Sequence, residues 1–433
     1  MGRRLRHHAR LDADPRRDVG RRLLGGGRHE RPRLQALARG GRDDGGADHA
    51  CRAAGERSAV PPRSLHHHGA GGDVRGVLPD VTAPSVAVVL VTFHGTKYLD
   101  ALWASLQAQR YPRERWQLIV VDNSPDGSAA RWFDERTTGI RVIVPGQNLG
   151  YAGGNALAMD AALARGADYV VVVTQDTSLE PDFLGALVDV AEAHPEAGAV
   201  QPKLLRREAS GRTVLHSRGN ELHYLGVGFV GGDGEPDRPL DVAPIAYASG
   251  AGALYRASAL RQVGTFDAAM FMYHEDSDLG WRLRLAGWDA LLAPAAVLHH
   301  DYDFARPSWK RKFYYVERNR LVNVLTHYHL ATLLVLAPAL VLFEPIGLLY
   351  AARSGWLAER LAVYGFFARP ASWRYLAAKR RAVQALRRRR DRDLVPFLSA
   401  HFRFGPVATP AVRVVLDPLF SAYFRVVKRL IVW

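Results

Sequence analysis

Val86-Ala87-Val88-Val89-Leu90-Val91-Thr92 is an unbroken apolar run closed by a hydroxyl residue, and its reading decides the fold. A strand with one wet face would alternate, so a run without alternation suits a strand covered on both faces. Working outward, Leu99, Leu102, Trp103 and Leu106 recur at helical spacing, and Leu118-Ile119-Val120-Val121 is a second buried run ending in Asp122. A short helix over 129–135, a strand over 140–144, a helix over 152–164 and a strand over 169–173 follow. This alternation predicts an α/β fold with a mostly parallel sheet and right-handed crossovers. Ligands of such sheets bind beyond the carboxyl ends of the strands. Three of these ends run into polar residues: Thr92-Phe93-His94, Asp122-Asn123-Ser124 and Gln175-Asp176-Thr177. That pattern is expected of a nucleotide site.

The net charge of +15 on 433 residues raises the question of nucleic acid, and its distribution answers it. Residues 1–80 carry a net +7 and residues 353–433 a net +13, which leaves the centre at −5. A nucleic-acid enzyme concentrates positive charge on the folded domain that grips phosphates. The competing reading, a nucleic-acid binder acting through its basic ends, predicts salt-sensitive binding that survives loss of the centre. Residues 1–80 are rich in Arg, Gly, His, Asp and Ala and lack periodic apolar runs, so they are expected to be disordered. The abrupt change near Val86 also fits a start codon assigned upstream of the folded protein. The lone Cys51 excludes an internal disulfide framework and suits a reducing compartment.

Two acidic stations carry the chemistry. Asp176, in Thr174-Gln175-Asp176-Thr177, follows the fourth strand, where a carboxylate can hold a divalent ion that bridges phosphates. It can equally cap a helix starting near Pro181, and on this motif alone the two readings stand level. The second station, Phe271-Met272-Tyr273-His274-Glu275-Asp276-Ser277-Asp278, packs three acids behind aromatic residues. Acids in a first helical turn often only complement the helix dipole. Crowding them behind apolar groups raises the cost of ionisation and favours a tuned general base.

The segment from Val86 to about Asn323 resembles a family 2 glycosyltransferase of the GT-A fold, and is similar in particular to bacterial rhamnosyl- and galactofuranosyl-transferases of envelope glycans. The resemblance rests on seven pieces in order. They are Val91-Thr92-Phe93-His94, Val121-Asp122-Asn123-Ser124-Pro125-Asp126-Gly127-Ser128, Asn148-Leu149-Gly150-Tyr151-Ala152-Gly153-Gly154-Asn155, Thr174-Gln175-Asp176-Thr177, Ser249-Gly250-Ala251, Val263-Gly264-Thr265-Phe266-Asp267 and Glu275-Asp276-Ser277-Asp278-Leu279-Gly280-Trp281-Arg282. It implies a donor site of Thr92, Phe93, Asp122, Asn148, Gly150, Asn155 and Asp176, with Phe93 packed on the base and Asp122 bonded to it. Asp176 would hold Mg2+ or Mn2+ together with a histidine past a later strand, His300 by first choice and His299 as the alternative. Asp276 would be the base of a single displacement with inversion, supported by Glu275, Asp278 and Arg282. The expected reaction moves a sugar from a UDP- or dTDP-sugar to a lipid-linked or cell-surface polysaccharide acceptor.

Three departures bear on this. Thr174 stands where the Asp-x-Asp signature has its first acid, His94 where the family usually has Asn, and Ala156 and Ala158 where Asn and Gly are common. A sugar-phosphate nucleotidyltransferase shares the sheet but needs a basic Gly-rich loop after the first strand, which residues 92–99 do not supply.

The transferase domain is expected over 84–325, with an apolar and basic membrane-associating region over 326–433. Residues 330–352 would rise about 34 Å as a straight helix, enough to cross a hydrocarbon core. Glu344-Pro345 places a charge and a helix break within it, so a span, an interfacial or re-entrant segment and a buried helix all compete. Lys379-Arg380-Arg381 and residues 387–390 add expected attraction to anionic lipid. Together these point to the cytoplasmic face of the plasma membrane.

Overall fold

The computed structural model describes residues 83–301, 309–402 and 412–433, so the reading of residues 1–80 and of Cys51 lies outside the described residues. The strands are β1 (Val86–Thr92), β2 (Trp116–Asp122), β3 (Arg141–Ile143), β4 (Tyr169–Thr174), β5 (Thr177–Leu179), β6 (Ala197–Arg207), β7 (Thr213–Ser217), β8 (Asn220–His223), β9 (Gly228–Val230), β10 (Ala243–Pro244), β11 (Gly252–Arg256), β12 (Asp289–His300) and β13 (Leu398–Ser399). The main sheet has the order β10-β12-β6-β11-β4-β1-β2-β3. Its β4-β1-β2-β3 half is parallel, and every residue of β1 is buried, as a strand covered on both faces must be.

The other half departs from the parallel expectation. β11 runs antiparallel between β4 and β6, while β12 pairs parallel with β6 and antiparallel with β5 and β10. This reversal brings the start of β11, next to Ser249-Gly250, to the end of β4, next to Asp176. Helices α1 (Thr96–Gln107), α2 (Ser128–Asp134), α3 (Gly150–Ala164), α4 (Phe183–Ala193), α5 (Ala257–Val263) and α6 (Glu275–Leu285) cover the sheet. One core joins Leu90, Leu102, Trp132, Phe183 and Leu187, and the core on the opposite face joins Val89, Met159, Tyr255, Phe266 and Leu283.

Beyond the sheet come α7 (Trp309–His327), α8 (Leu330–Arg353), α9 (Leu357–Phe367), α10 (Pro370–Ala385), α11 (Asp391–Leu394) and α12 (Asp417–Val427). α8 continues through Pro338 and Pro345, so the break expected at Glu344-Pro345 does not occur. Glu344 is paired with Arg320 at 2.9 Å and with Arg360, and both arginines also reach Glu317. Only 17% of the most apolar stretch of α8 is buried, and Leu334, Val341 and Leu349 stand exposed.

The basic tail also differs from its compositional reading. Lys379 bonds Asp267 and Asp278, and Arg380 donates to the carbonyls of Leu325 and Tyr328. Arg387 pairs with Asp391, and Arg389 pairs with Asp289. Lys379 and Arg389 therefore fasten the helices to the sheet domain, Arg380 and Arg387 tie the helices to one another, and Arg381, Arg388 and Arg390 are the exposed ones.

Candidate active site

The loops after β1, β2 and β4, the turn before β11 and the start of α6 enclose a cavity of about 380 Å³. Among the residues lining it are Phe93, Asn123, Asn148, Gly150, Asp176, Gly250, Glu275, Asp276, His300 and Lys312. Both acidic stations therefore meet across one space, although they are 100 residues apart in sequence.

Asp176 sits in the turn between β4 and β5. The helix near Pro181 starts after Asp182, and the side chain that accepts from its first turn is Gln109 (from Leu184 N), so the capping reading of Asp176 is set aside. Its Oδ1 lies 3.5 Å from His300 Nε2. Burial alone would raise its pKa, but the hydrogen bond and charge of His300 outweigh that and hold the carboxyl below the ordinary range. Alternation along β12 sends the two neighbouring histidines to different places. His300 lines the cavity, whereas His299 bonds Glu180 at 2.8 Å on the rim of the sheet. His300 rests edge-on against His216 (5.1 Å between rings), which in turn approaches Asp233, a supporting pair with no signal in the sequence.

A divalent ion suits this donor set. One carboxylate oxygen and one imidazole nitrogen, from Asp176 and His300, face the same cavity and would hold such an ion there, where it would supply positive charge. Among the described residues no group of three or more His, Cys, Asp or Glu side chains could hold an ion by itself, in keeping with Thr174 replacing an acid.

On the donor side, Phe93 is 42% exposed at the cavity rim. Gln175 fixes it by accepting from the Phe93 N–H at 2.9 Å and donating to its carbonyl at 3.3 Å. This gives the middle residue of Thr-Gln-Asp a job that sequence reasoning missed. Asn148 caps the turn into α3 by accepting from Gly150 N. Gly150 has φ 72°, and a Cβ there would meet the Phe271 carbonyl at 2.3 Å, so glycine is required.

Three donor-side expectations are corrected. The Asp122 carboxylate is buried and accepts from Thr92 Oγ1 and from the backbone N–H groups of Ser124, Ala129 and Ala130. It therefore organises the β2–α2 turn and has no capacity left for a nucleobase, and Asn123 is the neighbour that lines the cavity. Thr92 is buried beneath it as that carboxylate's donor. Asn155 is buried inside α3, where its amide donates to Tyr151 O.

Across the cavity, Asp276 accepts from Gly250 N at 3.0 Å and from Ser277 N at 2.7 Å. Burial raises its pKa, and the two N–H donors oppose the rise. Glu275, also buried, is pushed well up by desolvation and by Asp276. The two adjacent buried carboxyls therefore titrate as a unit. Asp278 and Arg282 do not line the cavity. Asp278 is fully buried under α6 with Arg282 and Lys379 each at 2.7 Å and His327 at 3.1 Å. Burial opposes its ionisation, but Arg282 and Lys379 hold it well below the ordinary range. Both residues thus support the site from beneath.

The segment leading into α6 is unusual. Phe271, Tyr273 and His274 all have positive φ, near 65°. Non-glycine residues held this way cost roughly 1–3 kcal/mol each, and they cluster at working sites. Lys312 of α7 also lines the cavity, 5.9 Å from the Tyr273 ring, and sequence reasoning did not find it.

A nucleotide-type sheet with its acidic stations joined at the strand ends is the GT-A architecture. Residues 83–323 match the model of the family described as "Glycosyltransferase like family 2", and the chain belongs to that family. It is 34% identical over 235 residues to an N-acetylglucosaminyl-diphospho-decaprenol L-rhamnosyltransferase of Mycobacterium tuberculosis, covering 49% of this chain and 75% of the relative. It is 25% identical over 201 residues to a low-salt glycan biosynthesis hexosyltransferase of Haloferax volcanii, covering 46% and 61%. Among solved structures, a Pyrobaculum calidifontis mannosyltransferase with GDP-Man and Mn2+ aligns at TM-score 0.41 and 19% identity, over 82% of this chain and 90% of that one. GalNAc-T7 with UDP, GalNAc and Mn2+ aligns at TM-score 0.42 and 12% identity, over 55% of this chain and 48% of that one.

Proposed function

We propose that this transferase moves a sugar from a UDP- or dTDP-sugar to a lipid-linked glycan, with inversion, using Asp276 as base and Mg2+ or Mn2+ on the leaving diphosphate. The observation that carries the reading is the single cavity that joins Asp176 and His300 to Asp276. Asp276 takes the proton of an acceptor hydroxyl, whose oxygen then bonds the anomeric carbon from the face opposite the diphosphate. The bond from that carbon to the diphosphate oxygen breaks, and its electron pair leaves with the nucleotide. Asp176 and His300 would hold the ion, which when bound supplies positive charge to the leaving group. Lys312 adds a fixed cation on the same cavity wall. Phe93, braced by Gln175, offers a flat face to the base. The rhamnosyltransferase likeness supports a 6-deoxyhexose donor and a polyprenyl-diphosphate acceptor.

We place the enzyme on the cytoplasmic face of the plasma membrane, with α8 lying in the interface, and divide the chain into a transferase domain (84–325) and a membrane-associating region (326–433). Support comes from the exposed apolar residues of α8 and of α12, where Leu419 and Val426 face outward. The ties of Glu344 to Arg320 and Arg360 favour an interfacial helix over a span. Incubating the full-length protein with a panel of nucleotide sugars and polyprenyl-diphosphate glycans tests the reading by release of nucleoside diphosphate. No release from any UDP- or dTDP-sugar, or undiminished transfer by Asp276→Asn, would overturn it.

A further inference from the structure

We propose that Asn319 of α7 is a positioning residue that clamps the segment from Met270 to His274 and so presents Asp276 to the acceptor; this rests on Asp276 being the base. The segment has little reason to keep its shape unaided. Phe271 has φ 64° and ψ −58°, and Met272 N bonds Met270 O at 2.7 Å, a γ-turn of the rare, strained hand. His274, with φ 66°, then opens α6 without a capping side chain.

The restraint comes from a single face of α7. The buried Asn319 amide nitrogen lies 3.0 Å from Met270 O, 3.0 Å from Met272 O and 2.7 Å from Tyr273 O. The two N–H groups of one carboxamide thus face the carbonyls on both sides of Phe271 and that of Tyr273, one N–H being shared between two of them. Four residues further on, Asn323 donates to His274 O at 3.2 Å. Four residues earlier, the Tyr315 ring stacks on Phe271 at 5.0 Å. Arg318 adds bonds to Ala269 O and Met270 O. On the opposite side, Phe271 O accepts from Ala152 N at 2.9 Å, which ties the clamp to the Asn148-Leu149-Gly150 turn. Asn319 makes more of these contacts than any other residue of α7, yet it does not line the cavity. Its effect on the reaction therefore passes through the backbone that carries Asp276.

The test uses the full chain with the donor and acceptor that the wild type turns over, and UDP or dTDP with Mg2+ as a calorimetric probe of the donor half. Asn319→Ala removes the donor group, and Asn319→Ser restores one. The expected result for N319A is a kcat lowered by about 100-fold, the scale of a misplaced reacting group. Donor KM and nucleotide Kd should stay within about threefold of wild type, and N319S should recover part of kcat. A residue that only stabilises the fold would lower the active fraction and leave kcat per folded molecule unchanged. That outcome, equal loss of nucleotide binding, or failure of both variants to fold would overturn the proposal. A wild type inactive with every donor would overturn the reading on which it rests.

Discussion

The buried ion cluster beneath α6 gives a quantitative prediction. Asp278 has no exposure and holds Arg282 and Lys379, each at 2.7 Å, and Lys379 reaches it from α10, about 100 residues away in sequence. At an effective dielectric of about 20, unit charges at this separation attract by roughly 6 kcal/mol, before the cost of taking both from water is counted. Removing Asp278 takes the shared carboxylate from Arg282 and Lys379, and removing Lys379 takes a cation from both Asp278 and Asp267, so Asp278→Asn and Lys379→Met should each destabilise the protein by about 3–5 kcal/mol. The double variant should be less damaging than the sum of the two by about 1–3 kcal/mol, because neither of the two is then left without the other. Equilibrium urea unfolding followed by fluorescence and near-ultraviolet circular dichroism measures all four proteins. The pH dependence has a definite sign. A carboxyl whose folded pKa is depressed contributes its full stability above its unfolded pKa and loses it as pH falls through the folded value. The gap between wild type and D278N should therefore be widest near neutrality and close in acid. Single-variant costs below about 1 kcal/mol, or strict additivity, would refute the reasoning and mark the cluster as solvent-screened.

Other outcomes follow from the site. Asp276→Asn should lower kcat by about 10²- to 10⁴-fold with little change in nucleotide binding, measured by steady-state kinetics. Because burial raises the Asp276 pKa, transfer should fall as pH drops through a value above that of an ordinary aspartate, which a kcat/KM profile reads directly. Asp176→Ala and His300→Ala should each raise the Mg2+ or Mn2+ concentration needed for half-maximal activity by about 10- to 100-fold, and chelation of the ion should abolish transfer. Gln175→Ala should raise donor KM, since Phe93 loses both backbone bonds to that amide, with kcat at saturation nearly unchanged.

Much of the fold was legible in sequence because buried strands and amphipathic helices obey short periods. Val86–Thr92 and Trp116–Asp122 pair in parallel as expected, and α6 begins within the acid cluster, at Glu275. The antiparallel insertion of β11 was not legible, since five residues of Gly252–Arg256 carry no mark of direction. At the site, residue type could be read but orientation could not. Asp122 follows its strand as a ligand residue would, yet its carboxylate turns inward to four local donors. The basic tail shows the same limit, because composition counts charges without their partners, and Lys379 and Arg389 have theirs inside the protein. Asn319 carries no charge and sits mid-helix, so only the folded chain reveals what it holds.

The ties from α7 and α10 into the sheet domain bear on how this enzyme can be divided. A boundary drawn where the family match stops, near residue 323, would cut through α7 and strip Asp278 of Lys379. The helices after the sheet are thus packed into the transferase domain, so the membrane-associating region proposed over 326–433 is not a separately detachable anchor. Chimeras meant to redirect the acceptor would have to carry α6, α7 and α10 together as one cassette.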